Sequence, residues 1–282
     1  MAPVRIVTDS ACDLPKALLA EHRIEVVPLT IRFGTEEFTD GVDLSTAEFW
    51  KRCASSARLP ETAAPSPGAF QAVYERLADE GADGVVAVTL SSELSATYQA
   101  AVLGAEAVAG RIEVRVVDSR LVTAAEGLLA LEAATLAAGG ASVGDVASRT
   151  AARVSDADLV GTIDTMDHLV KSGRLSGAKA VFGSLLSVKP ILTVRDGLVV
   201  EGGRQRTRAR ALEHLATRAE AAAPFDWLAV GGGDADDLGV VVERLSGIDS
   251  THPMIVTEIG PVVGTHAGPG IVGVCWLTRH AA

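Results

Sequence analysis

Residues 84–98 read GVVAVTLSSELSATY, and their order decides the fold. Gly84 to Leu90 is an unbroken apolar, β-branched run of strand length, as found in strands buried on both faces of a parallel sheet. Ser91 to Ser95 follows at once, and from there a helix is predicted through Tyr98 to about Val108. The same succession recurs on either side. Val4 to Val7 is a strand closing in Thr8-Asp9-Ser10, and Ile112 to Val117 is a strand closing in Asp118-Ser119. Between them the pattern predicts an N-cap at Asp13 with Pro15 in the first turn, and a strand over Glu25–Ile31. It also predicts a helix opened by Ser45 with Glu48 three residues on, and another from about Phe70 to Asp79. Strand and helix in alternation imply right-handed βαβ units and a parallel sheet.

Past Gly139-Gly140 the pattern changes to short strands at 159–162, 191–194, 198–200, 227–230, 254–258 and 273–277. Arg195-Asp196-Gly197 gives a hairpin turn between two of them. The expected architecture is therefore α/β with two domains. Residues 1–155 form a parallel-sheet α/β/α domain, and residues 156–282 form an α+β domain with a mixed or antiparallel sheet.

Composition narrows the function classes. In 282 residues, 25 Lys+Arg stand against 36 Asp+Glu, a net charge of −11, and 48% of residues are hydrophobic. Such a chain has a real core, and its acidity argues against nucleic acid or an anionic membrane surface as partner. Cys12, Cys53 and Cys275 are odd in number and far apart, which argues against disulfides and a zinc site. No secretory h-region and no membrane-spanning apolar stretch is visible, so a soluble cytoplasmic protein without integral membrane association is expected. No phosphate-binding P-loop, GxSxG, HExxH or dinucleotide motif occurs, and no cofactor or metal is called for.

Ligands of open parallel sheets sit at the strand C-termini. Three such loops here carry hydroxyls, and the 91–95 segment is the most informative, since its serines stand beside free N–H groups at a helix start. They suit a carboxylate or phosphate oxygen, or Ser92 simply caps the helix. Thr62, in the proline-rich stretch 59–70, either faces a cleft or bonds its own turn. The glycines of 260–270 are too dense for a regular element, so a stiff loop is expected there to hold His266. That imidazole either meets an anion, moves a proton, or is structural. Gly231-Gly232-Gly233-Asp234 follows a strand and reads as a turn, or as a contact for phosphate. Two basic features, Lys171 to Arg174 and Arg204 to Arg210 with Arg206 at its centre, suit phosphate or a partner's acidic face, or a solvated helix start.

These residues resemble a known family. Thr8-Asp9-Ser10-Ala11-Cys12-Asp13-Leu14-Pro15 is similar to the TDSxxDLP opening of the DegV family, Pro60 to Pro67 to its PxTSQPSP loop, and Ser91 to Tyr98 to its SSxLSGTY segment. Lys171 to Leu175, Leu185 to Pro190 and Gly260 to Gly270 match later motifs of that family, in order. Ala63-Ala64 replaces its SQ pair and Ala96 its glycine, which thins the head-group network and adds a methyl at a close approach. The resemblance implies two α/β domains enclosing a long-chain fatty acid such as palmitate, the carboxylate lying in the cleft between them. Thr62 and Ser95, with Ser92 next, would hold the carboxylate, and His266 would stand beside it. A partner fatty acid kinase would act on the presented acid, with Arg174 and Arg206 near the kinase or its phosphate. The chain would then be a lipid-binding carrier rather than an enzyme. The competing expectation is an enzyme of small phosphorylated or keto metabolites with His266 as base or nucleophile, since the family also resembles one domain of dihydroxyacetone kinases. A third is a regulatory protein that binds a partner through the arginine run.

Overall fold

A computed structural model describes residues 4–56, 58–175 and 188–279. The first half runs β1 (Val4–Asp9), α1 (Lys16–Glu21), β2 (Ile24–Val27), β3 (Thr30–Phe33), β4 (Glu36–Thr39), α2 (Thr46–Ser55) and β5 (Glu61–Ala63). It continues through α3 (Pro67–Asp79), β6 (Gly84–Thr89), α4 (Thr97–Ala107), β7 (Glu113–Asp118), α5 (Ala124–Ala138) and α6 (Val143–Arg153). Four of these strands make an all-parallel sheet in the order β2-β1-β6-β7. All six residues of β6 are buried, as its unbroken apolar run requires. Helices α3 and α4 cover one face through Phe70, Tyr74 and Ala101, while α5 and α6 cover the other through Leu128, Leu131 and Val146.

The second half runs β8 (Ala157–Thr162), α7 (Asp167–Ser172), β9 (Lys189–Arg195), β10 (Leu198–Gln205), α8 (Arg208–Glu220) and β11 (Phe225–Gly233). It closes with α9 (Leu238–Leu245), β12 (Ile255–Glu258), α10 (Pro261–Ala267) and β13 (Ile271–Thr278). Its strands form one mixed sheet, ordered β10-β9-β8-β13-β11-β12, antiparallel except between β11 and β12. Asp196 and Gly197 join β9 to β10 with φ of 52° and 83°, the pair of positive values that a two-residue hairpin turn needs. Side chains alternate along each strand. Val160, Val272 and Val274 pack with Leu212 and Leu215 of α8 and Val241 of α9, while Leu159, Cys275 and Leu277 face α5 and the first half.

Helix α5 joins the halves. Its sequence, AAEGLLALEAATLAA, has no polar stripe, and a helix apolar all round is stable only when buried on every side. Residues 124–131 are buried without exception, and they pack in one core with Ile6 and Val86 of the parallel sheet and Ala229 and Cys275 of the mixed one.

The two-part α/β architecture is as the sequence indicated, with local differences. The predicted strand 25–31 is two strands in different sheets. Pro28 offers no N–H to continue a ladder, so β2 ends at Val27 and β3 starts a separate antiparallel sheet, β4-β3-β5. The glycine-rich 260–270 segment is not a loop: Pro261 opens α10, and Gly264 lies so close to Phe49 and Trp50 that a Cβ there would stand 2.8 Å from both rings. Gly231 to Gly233 lie inside β11 rather than in a turn. The helix expected from Ser91 begins only at Thr97, after a turn. Asp13 does not N-cap α1, where Pro15 holds that position; its left-handed backbone at φ 48° instead ends the short 3-10 turn Ser10–Cys12, and its carboxylate is engaged elsewhere. Residues 185–187 of the Leu185–Pro190 motif lie outside the described residues. Among the described residues no helix is long and apolar enough to cross a membrane.

Candidate ligand-binding site

The loops after β1 and β6 stand where the strand order reverses, the place where open parallel sheets bind ligands. Here the first loop builds the second. The buried Asp9 carboxylate accepts from Ala11 N and from Leu90 N, both at 2.9 Å, and so fixes the exit of β6. Ser91, fully buried, donates to Gly197 O at 2.7 Å and ties that exit to the β9–β10 hairpin of the other sheet. The segment 92–96 is thereby held over the edge of the mixed sheet.

Between the sheets lies a cavity of about 250 Å³. Its walls are mostly aliphatic: Leu29, Leu90 and Val122 come from the first half, Leu192, Val262 and Ile271 from the second. Among the described residues, six that line it have polar side chains. Two of these serve the walls, Thr123 donating to Asp13 Oδ2 at 2.7 Å and Thr193 to Leu159 O at 2.9 Å. The other four are Thr62, Ser95, Arg174 and His266, each singled out by the sequence.

Thr62 is not in a turn but in β5, paired with Ile31. Its Oγ1 is 2.9 Å from Nε2 of His266, which α10 delivers from the other half. Nδ1 of His266 is buried and has no hydrogen-bond partner among the described residues. Burial, with Arg174 and His168 nearby, holds the imidazole pKa down at about 4. The ring is therefore neutral at pH 7, and with Nε2–H donated to Thr62 Oγ1 the Thr62 hydroxyl is free to donate to an acceptor in the cavity. The sequence reading did not foresee this hydroxyl–imidazole contact.

Ser95 is half-buried, and its Oγ accepts from Thr97 N at 3.3 Å and lies 2.9 Å from Thr97 Oγ1. With Thr97 as donor, Ser95 keeps its own proton for a ligand. Ser92 is placed differently. It is exposed, lines a neighbouring cleft instead of the cavity, and bonds Asp118 Oδ2 through its hydroxyl at 2.5 Å. That cleft shares Leu94, Ser95, Ala96 and Arg174 with the cavity and so forms its mouth. The exposed Arg174 lies there, donating to Ser172 O at 2.5 Å. Arg206 is exposed after the end of β10 and does not line the cavity, while Arg208 of the same run is paired with Asp237 at 2.8 Å.

Behind the cavity wall is a buried acidic group, in which Asp9 and Asp13 of the first loop meet Glu126, a residue the sequence did not single out. Asp13 accepts from Thr123 and, at 2.8 Å, from Gly260 N at the start of α10. Glu126 accepts from Thr8 at 2.9 Å. Burial raises the pKa of Asp13 to about 8 and of Asp9 to about 6, and lifts Glu126 well above the carboxylate range. Among the described residues no His, Cys, Asp and Glu side chains cluster so as to hold a metal ion.

The sequence model of the DegV family matches residues 3–279. A DegV domain-containing protein of Streptomyces coelicolor is 36% identical over 284 residues, covering 98% of this chain and 99% of that protein. The crystal structure of DegV from Bacillus subtilis, a fatty acid binding protein, is similar with a TM-score of 0.86 and 31% identity over 99% of this chain and 100% of that one. A fatty-acid-binding DegV family protein from Thermus thermophilus matches with a TM-score of 0.88 and 30% identity, over 98% of this chain and 100% of that one.

Proposed function

The chain belongs to the DegV family, and on that premise we propose that it binds a long-chain fatty acid such as palmitate in the cavity between its two lobes. The lobes are read as residues 1–155 and 156–282. The observation that carries the reading is the cavity's division of labour: among the described residues its walls are mostly aliphatic, and Thr62, Ser95, Arg174 and His266 bring hydroxyl, imidazole and guanidinium groups to it. Thr62 and Ser95 hold the carboxylate as hydroxyl donors, His266 orients Thr62, and Ser92 supports the segment through Asp118.

The energies are consistent with retention. A sixteen-carbon acid buries about fifteen methylene-sized groups at roughly 0.8 kcal/mol each, about 12 kcal/mol in all. Association costs roughly 4–15 kcal/mol, so hydrogen bonds to the charged head, roughly 1.5–3 kcal/mol each, decide whether the ligand stays.

The chain acts as a carrier in this proposal, presenting the carboxylate at the mouth to a partner fatty acid kinase. Arg174 at the mouth and the exposed Arg206 supply the positive charge for the partner or its phosphate. Three free cysteines fit a reducing compartment, which supports the cytoplasmic assignment.

The Thr62–His266 contact is the one observation that favours the enzyme reading instead. It is a weak argument for catalysis: an imidazole held near pKa 4 is a poor base, and among the described residues no third group orients its Nδ1. Titration of delipidated protein with palmitate and with small phosphorylated or keto metabolites separates the two. Saturable one-to-one binding of palmitate supports the carrier, and turnover of a metabolite lost in His266→Ala supports the enzyme.

A further inference from the structure

The cavity spans four neighbouring strands of the mixed sheet. Its sheet-side wall includes Val199 of β10, Leu192 of β9, Gly161 of β8 and Gly273 of β13, and no described residue of β11 lines it. Leu175 bridges Val199, so the 173–175 segment with Arg174 lies along the β10 edge, where the mouth opens. With strands about 4.8 Å apart, β13 stands three spacings, about 14 Å, inward from that edge.

Gly161 and Gly273 are direct cross-strand partners. A glycine inside a central strand weakens it, and two side by side mark a place where something else needs the room. Neither has a positive φ, so backbone conformation does not demand glycine at either position. A Cβ built on Gly273 would meet only Val160 O, at 3.8 Å, and one on Gly161 would meet Val272 O at 3.3 Å. The space above Gly273 is therefore the cavity itself. The furrow is bounded on both sides: Leu192 is the partner of Gly161 on β9, and beyond Gly273 the next glycine, Gly231, is covered by Ile259, whose Cγ1 would stand 3.2 Å from a Cβ there.

We propose that Gly161 and Gly273 form a two-strand furrow that receives the distal part of the acyl chain, and that their missing side chains set the chain length the protein accepts. This rests on the fatty-acid reading of the cavity. An added side chain at Gly273 narrows the cavity on β13, the lining strand farthest from the β10 edge, and Gly273 is not among the residues of the mouth.

Delipidated wild type, Gly273→Ala and Gly273→Val are titrated with saturated fatty acids of ten and eighteen carbons, alongside thermal unfolding. The valine variant is expected to melt at or above the wild-type temperature, since a β-branched residue suits a strand better than glycine. It should bind the eighteen-carbon acid about 10- to 200-fold more weakly, the range for a methylene-scale misfit in an apolar pocket. The ten-carbon acid should be affected far less, and the alanine variant should show the same trend more weakly. Equal weakening for both lengths, or none in either variant, overturns the furrow while leaving wild-type binding, and hence the reading of the cavity, intact. Wild type that binds neither acid overturns both.

Discussion

Thr62 Oγ1 and His266 Nε2, 204 residues apart in the chain, lie 2.9 Å apart across the wall of the cavity. One belongs to a three-residue edge strand and the other to a seven-residue helix, and neither element makes sense of its polar residue alone. With the imidazole proton on Nε2, the pair presents a hydroxyl whose own proton is free to reach an anion.

Thr62→Val keeps the shape and removes the donor. The variant should fold with a melting temperature close to wild type and lose about 10- to 100-fold in palmitate affinity, the equivalent of roughly 1.5–3 kcal/mol for a hydrogen bond to a charged group. Equilibrium binding to delipidated protein checks this, and unchanged affinity removes Thr62 from the head-group site.

The two serines should separate. Ser95→Ala should weaken fatty-acid binding, whereas Ser92→Ala should act less, because Ser92 bonds Asp118 and lies outside the cavity lining. Side-by-side binding curves decide, and a larger effect at Ser92 would reverse the assignment.

For His266 the sign of the pH dependence follows from burial. Its folded pKa, about 4, lies below the ordinary 6.5, so its contribution to stability is complete above about pH 6.5 and is lost as pH falls toward 4. NMR titration of the ligand-free imidazole should show it neutral at pH 6, and a ring that is half-protonated there contradicts the burial argument.

Asp13 behaves in the opposite way. Its pKa is raised to about 8, so the folded state holds a proton that the unfolded state has released, and stability falls as pH rises from about 4 to about 8. The loss is at most about 1.4 kcal/mol per pH unit. Asp13→Asn, which keeps the shape without the charge, should flatten that slope in urea unfolding series at several pH values. An unchanged slope would assign the dependence to Asp9 or Glu126.

Much of this was legible in the sequence, for identifiable reasons. The parallel sheet could be read because β6 is an unbroken apolar run, and α5 would have announced its burial by the lack of a polar face. Helix α10 could not, because glycine lowers helix propensity, and only the approach of Phe49 and Trp50 shows why Gly264 is small. β5 was hidden because its pairing with β3 is made across 31 residues, Ile31 with Thr62, in a stretch whose prolines suggest a turn. Thr62, Ser95, Arg174 and His266 were named from the sequence, yet their meeting at one cavity is a fact of tertiary structure. The Gly161–Gly273 pair is invisible without the register of β8 against β13.

The most direct measurement is native mass spectrometry of the protein as purified, followed by denaturing release of whatever is bound. The account predicts one equivalent of a long-chain fatty acid per chain, reduced in Thr62→Val. A protein that carries no lipid and takes none up when offered palmitate after delipidation would contradict it.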